Sequence, residues 1–246
     1  MPLPQPPAPE RGWAYFLDVD GTLVELALTP DAVHVSGETH DLVHDLHAIT
    51  GGAVALVSGR AIADVDRLFP GGVLPVAGQH GLERRDGRGI VSRVEIPTEV
   101  LREARATLTS LAAEHEGLLL EDKGRSLALH YRLAPQHRQL VHDAVRALAD
   151  SLGDAWTVQP GKRVFELRPA GADKGAAIRA FLQDPPFRGR IPVFIGDDVT
   201  DEHGFAVVNR RGGLSIKVGE GATCARWRLA DVRAVERWLR GATEPE

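Results

Sequence analysis

The stretch Tyr15-Phe16-Leu17-Asp18-Val19-Asp20-Gly21-Thr22-Leu23 decides the fold. The run from Trp13 to Leu17 is apolar and of a length that suits a buried strand. Gly21-Thr22 is a turn signal where that strand stops. Two carboxylates therefore stand at the carboxyl end of a hydrophobic strand, the edge of an open α/β sheet where ligands bind. Side chains two apart on a strand share a face, so Asp18 and Asp20 are expected to reach one pocket. Like charges that close repel, and one proton or a cation resolves the conflict. Taken alone, the stretch also reads as a solvated Asp-x-Asp-Gly turn, and the rest of the chain decides between the two.

Further apolar runs have the same form. Ala53 to Val57 ends at Ser58-Gly59-Arg60, where a hydroxyl backed by helix amides suits a phosphate oxygen. Ser58 capping the next helix is the plainer reading, and both can hold at once. Upstream of it, Thr29 to Val35 reads as loop. Leu42, Val43, Leu46 and Ile49 then recur at helical spacing until Gly51-Gly52. Val73 to Ala77 gives a third strand, leading into Gly78-Gln79-His80-Gly81-Leu82-Glu83. Asp86-Gly87 suits a hairpin turn between Leu82 to Arg85 and Ile90 to Val94.

The same rhythm returns at Ala172-Asp173-Lys174-Gly175, which opens a helix through Ala177, Ile178, Phe181 and Leu182. A lysine at a helix start runs against the dipole, and anionic oxygens in front of it would give a reason. Ile191 to Ile195 then delivers Gly196-Asp197-Asp198-Val199-Thr200-Asp201-Glu202. Four acidic groups within six residues call for a cation. Oxygen ligands with no His or Cys pair at metal spacing favour Mg²⁺ over zinc. For Asp201 and Glu202, a helix N-terminus enriched in acids is the alternative. Leu214 to Val218 supplies a last strand. Val232, Val235, Trp238 and Leu239 mark a closing helix.

Between these halves the pattern changes to αββαββ, with adjacent strands in place of βαβ alternation. Val100, Leu101, Ala104, Leu108 and Leu111 mark one helix, and Pro135 opens a second with Leu140, Val141, Ala144, Val145 and Leu148. Strands are expected at Leu118 to Glu121, Ser126 to Arg132, Trp156 to Pro160 and Arg163 to Arg168. In the second of these Leu127, Leu129 and Tyr131 share one face, and Ser126, His130 and Arg132 the other. Apolar faces would cover the helices and leave polar faces to line a cleft. The grouping of Glu121, Lys123, Ser126, His130, Lys162 and Glu166 points to a hydroxyl-rich ligand.

The expected organisation is a disordered proline-rich tail at 1–12, an α/β core from 13–95 and 170–246, and a small inserted α+β domain at 96–169. The 246 residues are 43% hydrophobic, ample for a real core. A net charge of -5 offers no basic surface, which excludes nucleic acid as the expected partner. The single cysteine, Cys224, excludes an intramolecular disulfide and a cysteine metal cluster. No run of 18 apolar residues exists to span a membrane. The first ten residues lack the basic start and apolar centre of a signal peptide. These features suggest a cytoplasmic monomer acting on a small molecule.

The parts suggest phosphoryl transfer. Asp18 would attack phosphorus in line to give an aspartyl phosphate. Asp20 would protonate the leaving oxygen and later activate water. Ser58, Lys174 and Mg²⁺ would neutralise and hold phosphate oxygens.

Asp18-Val19-Asp20-Gly21-Thr22-Leu23, Ser58-Gly59-Arg60, Lys174 and Gly196-Asp197-Asp198 resemble, in order, the four motifs of the haloacid dehalogenase-like phosphatases. That resemblance implies a Rossmann-like core with a mainly parallel sheet. It also implies Mg²⁺ held by the Asp18 carboxylate, the Asp20 carbonyl and Asp197, with Asp198 and Asp201 in support, and an insert of the C2 cap type. Gly78 to Glu83, Glu121-Asp122-Lys123-Gly124, Leu129-His130-Tyr131-Arg132, Gly161-Lys162 and Glu166-Leu167-Arg168-Pro169 resemble more narrowly the trehalose-6-phosphate phosphatase family. By that resemblance Glu121, Lys123 and Glu166 hold glucose hydroxyls. Arg60, His80, Glu83, Ser126, His130, Arg132 and Lys162 join them as substrate-contacting candidates. His203 stands where the family's last motif calls for an acidic residue.

Three other readings compete. A phosphatase for sucrose phosphate or mannosyl-3-phosphoglycerate differs only in the insert. A phosphoacceptor receiver domain is about half this length and has no insert. A catalytically silent regulatory domain does not need the intact Asp18, Asp20, Lys174 and Asp197.

Overall fold

Strand β1 covers Ala14–Leu17, and all four of its side chains are buried. Its alternation still sorts them: Tyr15 and Leu17 join one core cluster, while Ala14 and Phe16 join another on the opposite face. A strand buried on both faces belongs in the middle of a covered, parallel sheet. The computed structural model, which describes residues 3–27 and 32–243, puts it there. The first part of the expected Thr29 to Val35 loop lies outside the described residues.

In chain order, β1 is followed by α1 (Gly37–Ile49), β2 (Val54–Val57), α2 (Ile62–Leu68), β3 (Val76–Gly78), β4 (Glu83–Arg85) and β5 (Val91–Arg93). Next come α3 (Thr98–Glu114), β6 (Leu119–Asp122), β7 (Leu127–His130), α4 (Arg138–Leu152), β8 (Trp156–Gly161) and β9 (Val164–Pro169). The chain finishes with α5 (Lys174–Phe181), β10 (Pro192–Gly196), α6 (Glu202–Arg210), β11 (Leu214–Val218), β12 (Trp227–Leu229) and α7 (Val232–Thr243). Local chemistry sets several ends. The Ser36 hydroxyl accepts the Thr39 N–H to start α1, and the Asp173 carboxylate accepts the Ala176 N–H to start α5. Pro135 opens a short 3-10 turn, so α4 begins three residues later than the proline suggests.

The chain divides into two units, Met1–Ser92 with Asp173–Glu246, and Arg93–Ala172. In the first, eight strands run in the order β12-β11-β10-β1-β2-β3-β4-β5. The pairs from β12 to β3 are parallel, and β4 turns back antiparallel on β3. β12 had no strand signature in the sequence. The chain leaves β1 for β2 on one side and returns as β10 on the other. The carboxyl end of β1 is thus the switch point of a doubly wound sheet, where a ligand crevice forms.

In the second unit, four antiparallel strands run β6-β7-β9-β8. Leu127, Leu129, Phe165 and Leu167 turn one face of that sheet towards Leu101, Leu108, Val141 and Val145 of α3 and α4. Each such buried side chain contributes about 1.5–3 kcal/mol, which gives this unit its own core.

The proline-rich start differs from the expected mobile tail. The Pro4 carbonyl accepts the Arg228 N–H, the Pro7 carbonyl accepts Trp238 Nε1, and Arg11 Nε donates to the Ala242 carbonyl. Proline lacks an N–H but keeps its carbonyl, so an extended proline segment can serve as a row of acceptors. No described helix is long and apolar enough to cross a membrane.

Candidate active site

Asp18 follows β1 directly and is 4% exposed. Its Oδ1 accepts from Lys174 Nζ at 2.6 Å, and its Oδ2 accepts from the Thr22 hydroxyl at 3.2 Å. Lys174, the first residue of α5, is 2% exposed and also donates to Asp201 Oδ1 at 2.7 Å. The anionic oxygens expected in front of this lysine are thus two carboxylates of its own chain. Burial works against the Lys174 ammonium, but Asp18 and Asp201 outweigh it and hold its pKa above the ordinary lysine value. Burial raises the Asp18 carboxyl well above an ordinary aspartate; Asp201 and Asp197 add to the rise and Lys174 opposes it.

One oxygen each from Asp18, Asp197 and Asp201 lie within 4.8 Å of one another, and all three residues are buried. Three carboxylates around one ammonium leave negative charge over. The donors are all oxygen, so the residues present fit a hard divalent cation. Gly21 takes part in this fit. Its φ is +80°, and a Cβ there would run into the Asp197 carboxylate. Only glycine lets the turn after Asp20 pass so close. Asp198 is half-buried, and its N–H donates to Asp201 Oδ2 at 2.9 Å, which ties the acidic loop to itself. Asp201, expected only in support, is a full member of the carboxylate trio.

Asp20 meets Arg60. The guanidinium grips both carboxylate oxygens, Nε to Oδ2 and Nη2 to Oδ1, each at 2.7 Å. Ser58 is fully buried at the end of β2, and its hydroxyl accepts the Arg60 N–H at 3.1 Å. It is not the cap of α2, whose N-cap position is Ala61 with no side-chain cap. The first N–H of α2, on Ile62, goes instead to Glu83 Oε1 at 2.6 Å. Glu83 therefore anchors a helix start through its Oε1. His80 sits in a 3-10 turn with φ +55° beside Gln79 at +48°, a left-handed pair that non-glycine residues seldom adopt. The turn is held by Gln79 N–H to the Arg60 carbonyl and His80 N–H to the Ser58 carbonyl. The His80 ring covers Gly59 so closely that a Cβ there would meet its Nε2 at 2.7 Å. Strain held by such contacts is common at working sites.

In the second unit, strand register builds a polar row. Glu121 pairs with Ala128, Ala128 with Glu166, and Glu166 with Gln159, so these four share one face across four strands. His130 lies two residues on from Ala128 on the same face, and its Nε2 is 2.8 Å from Glu121 Oε2. Lys123 Nζ donates to Glu166 Oε2 at 2.9 Å, with both side chains largely buried. Burial raises the Glu121 carboxyl, but His130 and Lys123 outweigh it and bring it below the ordinary glutamate value. Ser126 is buried, and its carbonyl accepts the Lys123 N–H. Arg132 Nη2 donates to the Lys162 carbonyl at 3.4 Å, and Lys162 is exposed in the β8–β9 turn. The sequence reading passed over Gln159, whose place beside Glu166 follows from the pairing of β8 with β9.

A family model described as trehalose-phosphatase matches residues 16–233. The chain is 46% identical to the trehalose-6-phosphate phosphatase of Escherichia coli over 241 residues, covering 97% of this chain and 89% of that one. Its structure resembles the C-terminal domain of trehalose-6-phosphate phosphatase from Candida albicans with a TM-score of 0.82, covering 92% and 89% of the two chains at 20% identity. It also resembles a phosphatase of the haloalkanoate (HAD) enzyme superfamily from Bacteroides thetaiotaomicron with a TM-score of 0.60, covering 92% of each chain at 17% identity. At those two identities the likeness is one of fold.

Proposed function

The chain belongs to the trehalose-phosphatase family, and from that premise we propose that it hydrolyses trehalose 6-phosphate to trehalose and phosphate through a phosphorylated Asp18. It is a phosphatase of the HAD superfamily. The observation that carries the mechanism is the Lys174 ammonium set between Asp18 and Asp201, beside Asp197. A carboxylate buried among other carboxylates attacks only if positive charge keeps it ionised, and Lys174 supplies part of that charge.

In the first step an Asp18 oxygen bonds to phosphorus as the bond to the sugar oxygen breaks, and Asp20 delivers a proton to that oxygen. In the second, Asp20 takes a proton from water, whose oxygen bonds to phosphorus and releases the Asp18 carboxylate. Both Asp20 oxygens are engaged by Arg60, so Arg60 must let go before Asp20 can serve the leaving group. A phosphate dianion is a strong competitor for a guanidinium, so substrate binding would bring about that exchange. Ser58 would donate its hydroxyl proton to another phosphate oxygen. The Asp18 and Asp197 carboxylates and the Asp20 carbonyl would hold Mg²⁺, which when bound neutralises phosphate charge. Glu121, Lys123 and Glu166, with His130 behind Glu121, would hold the sugar hydroxyls.

The test is phosphate release with Mg²⁺ and with EDTA, across trehalose 6-phosphate, sucrose 6-phosphate, glucose 6-phosphate and p-nitrophenyl phosphate. A preference for trehalose 6-phosphate that is lost in EDTA is expected. Preference for another sugar phosphate would overturn the substrate, and no release from any of them the catalytic reading.

A further inference from the structure

Strand β11 is buried along its whole length, yet it carries a charge. Lys217 is 5% exposed, and no step above uses it. Its Cα is the register partner of Gly196, the residue just before Asp197. From there Nζ donates to the Asp197 carbonyl oxygen and, at 3.2 Å, to the Val218 carbonyl oxygen. Burying an ammonium costs several kcal/mol of desolvation, so a methionine or leucine would suit a strand of this kind better on stability grounds alone. The lysine is spent on the peptide of an acidic residue.

Asp197 is confined from other directions too. Gly21 leaves room for its carboxylate, and the next N–H, on Asp198, is taken by Asp201. We propose that Lys217 is a positioning residue for the cation site. By fixing the Asp197 peptide plane it aims the Asp197 carboxylate at the space shared with Asp18 and Asp201. The inference rests on the reading of Asp197 as a metal ligand. Groups that orient metal ligands in this way typically carry about 10- to 100-fold in affinity.

Charge and position make opposite predictions here, so the sign of the effect decides. Removing a positive charge near a divalent cation strengthens its binding by Coulomb's law. Removing the hydrogen bond that aims a ligand weakens it. The experiment is Mn²⁺ titration followed by electron paramagnetic resonance on the parent protein, Lys217→Met and Lys217→Arg, with circular dichroism to confirm folding. The dissociation constant is expected to rise about 10-fold or more in Lys217→Met. Lys217→Arg, which keeps a donor, is expected to recover most of that loss. An unchanged or smaller constant in Lys217→Met would overturn the proposal. If Lys217→Met does not fold, Lys217→Leu, which likewise removes the donor, is judged by the same sign. A parent protein that binds no Mn²⁺ would overturn the metal site itself, a result distinct from a parent that binds and a variant that does not differ.

Discussion

Lys174 Nζ lies 2.6 Å from Asp18 Oδ1, although 156 residues separate the two along the chain. The contact joins the end of the central strand to the start of a helix in the other half of the first unit. It places positive charge against a buried carboxylate, where it opposes the rise that burial, Asp201 and Asp197 impose on the Asp18 pKa. Asp18→Asn keeps one oxygen that can accept from Lys174, and its NH2 can donate to the Thr22 hydroxyl in place of the present bond, so folding is expected to survive. Turnover is expected to fall at least about 10³-fold, because an amide oxygen is no nucleophile towards phosphorus. Melting temperature and phosphate release on the same preparation check both halves. An active Asp18→Asn would sink the covalent route.

That pair was legible in the sequence, and the reason is physical. Asp18 follows an apolar strand, where a charge has no place unless it is used. Lys174 opposes the dipole of its own helix, which singles it out. Lys217 left no such mark, because one lysine near the end of an apolar run also reads as the point where a strand meets water. Gln159 was hidden because adjacent strands can be read from αββαββ but their register cannot, and it is register that sets Gln159 opposite Glu166. The helix-start bond of Glu83 was hidden for a similar reason. Its motif is visible, but its partner is a backbone N–H 21 residues upstream, and backbone groups have no sequence signature.

Glu83 therefore makes a stability prediction. Its Oε1 satisfies the Ile62 N–H at the start of α2, an orphan donor by geometry. Loss of a cap of this kind costs about 1 kcal/mol. For a chain of this size Glu83→Ala is expected to lower the melting temperature by about 2–4 °C. Scanning calorimetry checks it. A loss confined to the Michaelis constant, at unchanged melting temperature, would return Glu83 to the substrate.

Glu121 makes a selectivity prediction. It begins the polar row on the face of β6, bonded to His130 and followed by Lys123. A hydrogen bond from a sugar hydroxyl to a charged group carries about 1.5–3 kcal/mol, so Glu121→Ala is expected to lower kcat/KM for trehalose 6-phosphate about 10- to 100-fold. Hydrolysis of p-nitrophenyl phosphate, which brings no sugar to the row, is expected to suffer far less. The ratio of the two rates is the readout. Equal losses would remove the second unit from substrate recognition.

The same residue links stability to acidity. His130 and Lys123 hold the Glu121 pKa below its unfolded value, so the folded state binds this proton less readily than the unfolded chain does. The stabilisation is present above the unfolded glutamate pKa and is lost as pH falls through the lower, folded one. Glu121→Gln keeps the shape and removes the charge. Its melting temperature is therefore expected to lie below the parent's at pH 7, and the gap to narrow as pH falls through the carboxylate range. Paired melting curves from pH 7 down to about pH 3, well below the ordinary glutamate value of about 4.3, decide the matter. A gap that grows steadily to the acid end would mean that the Glu121 carboxylate is held against its neighbours rather than by them.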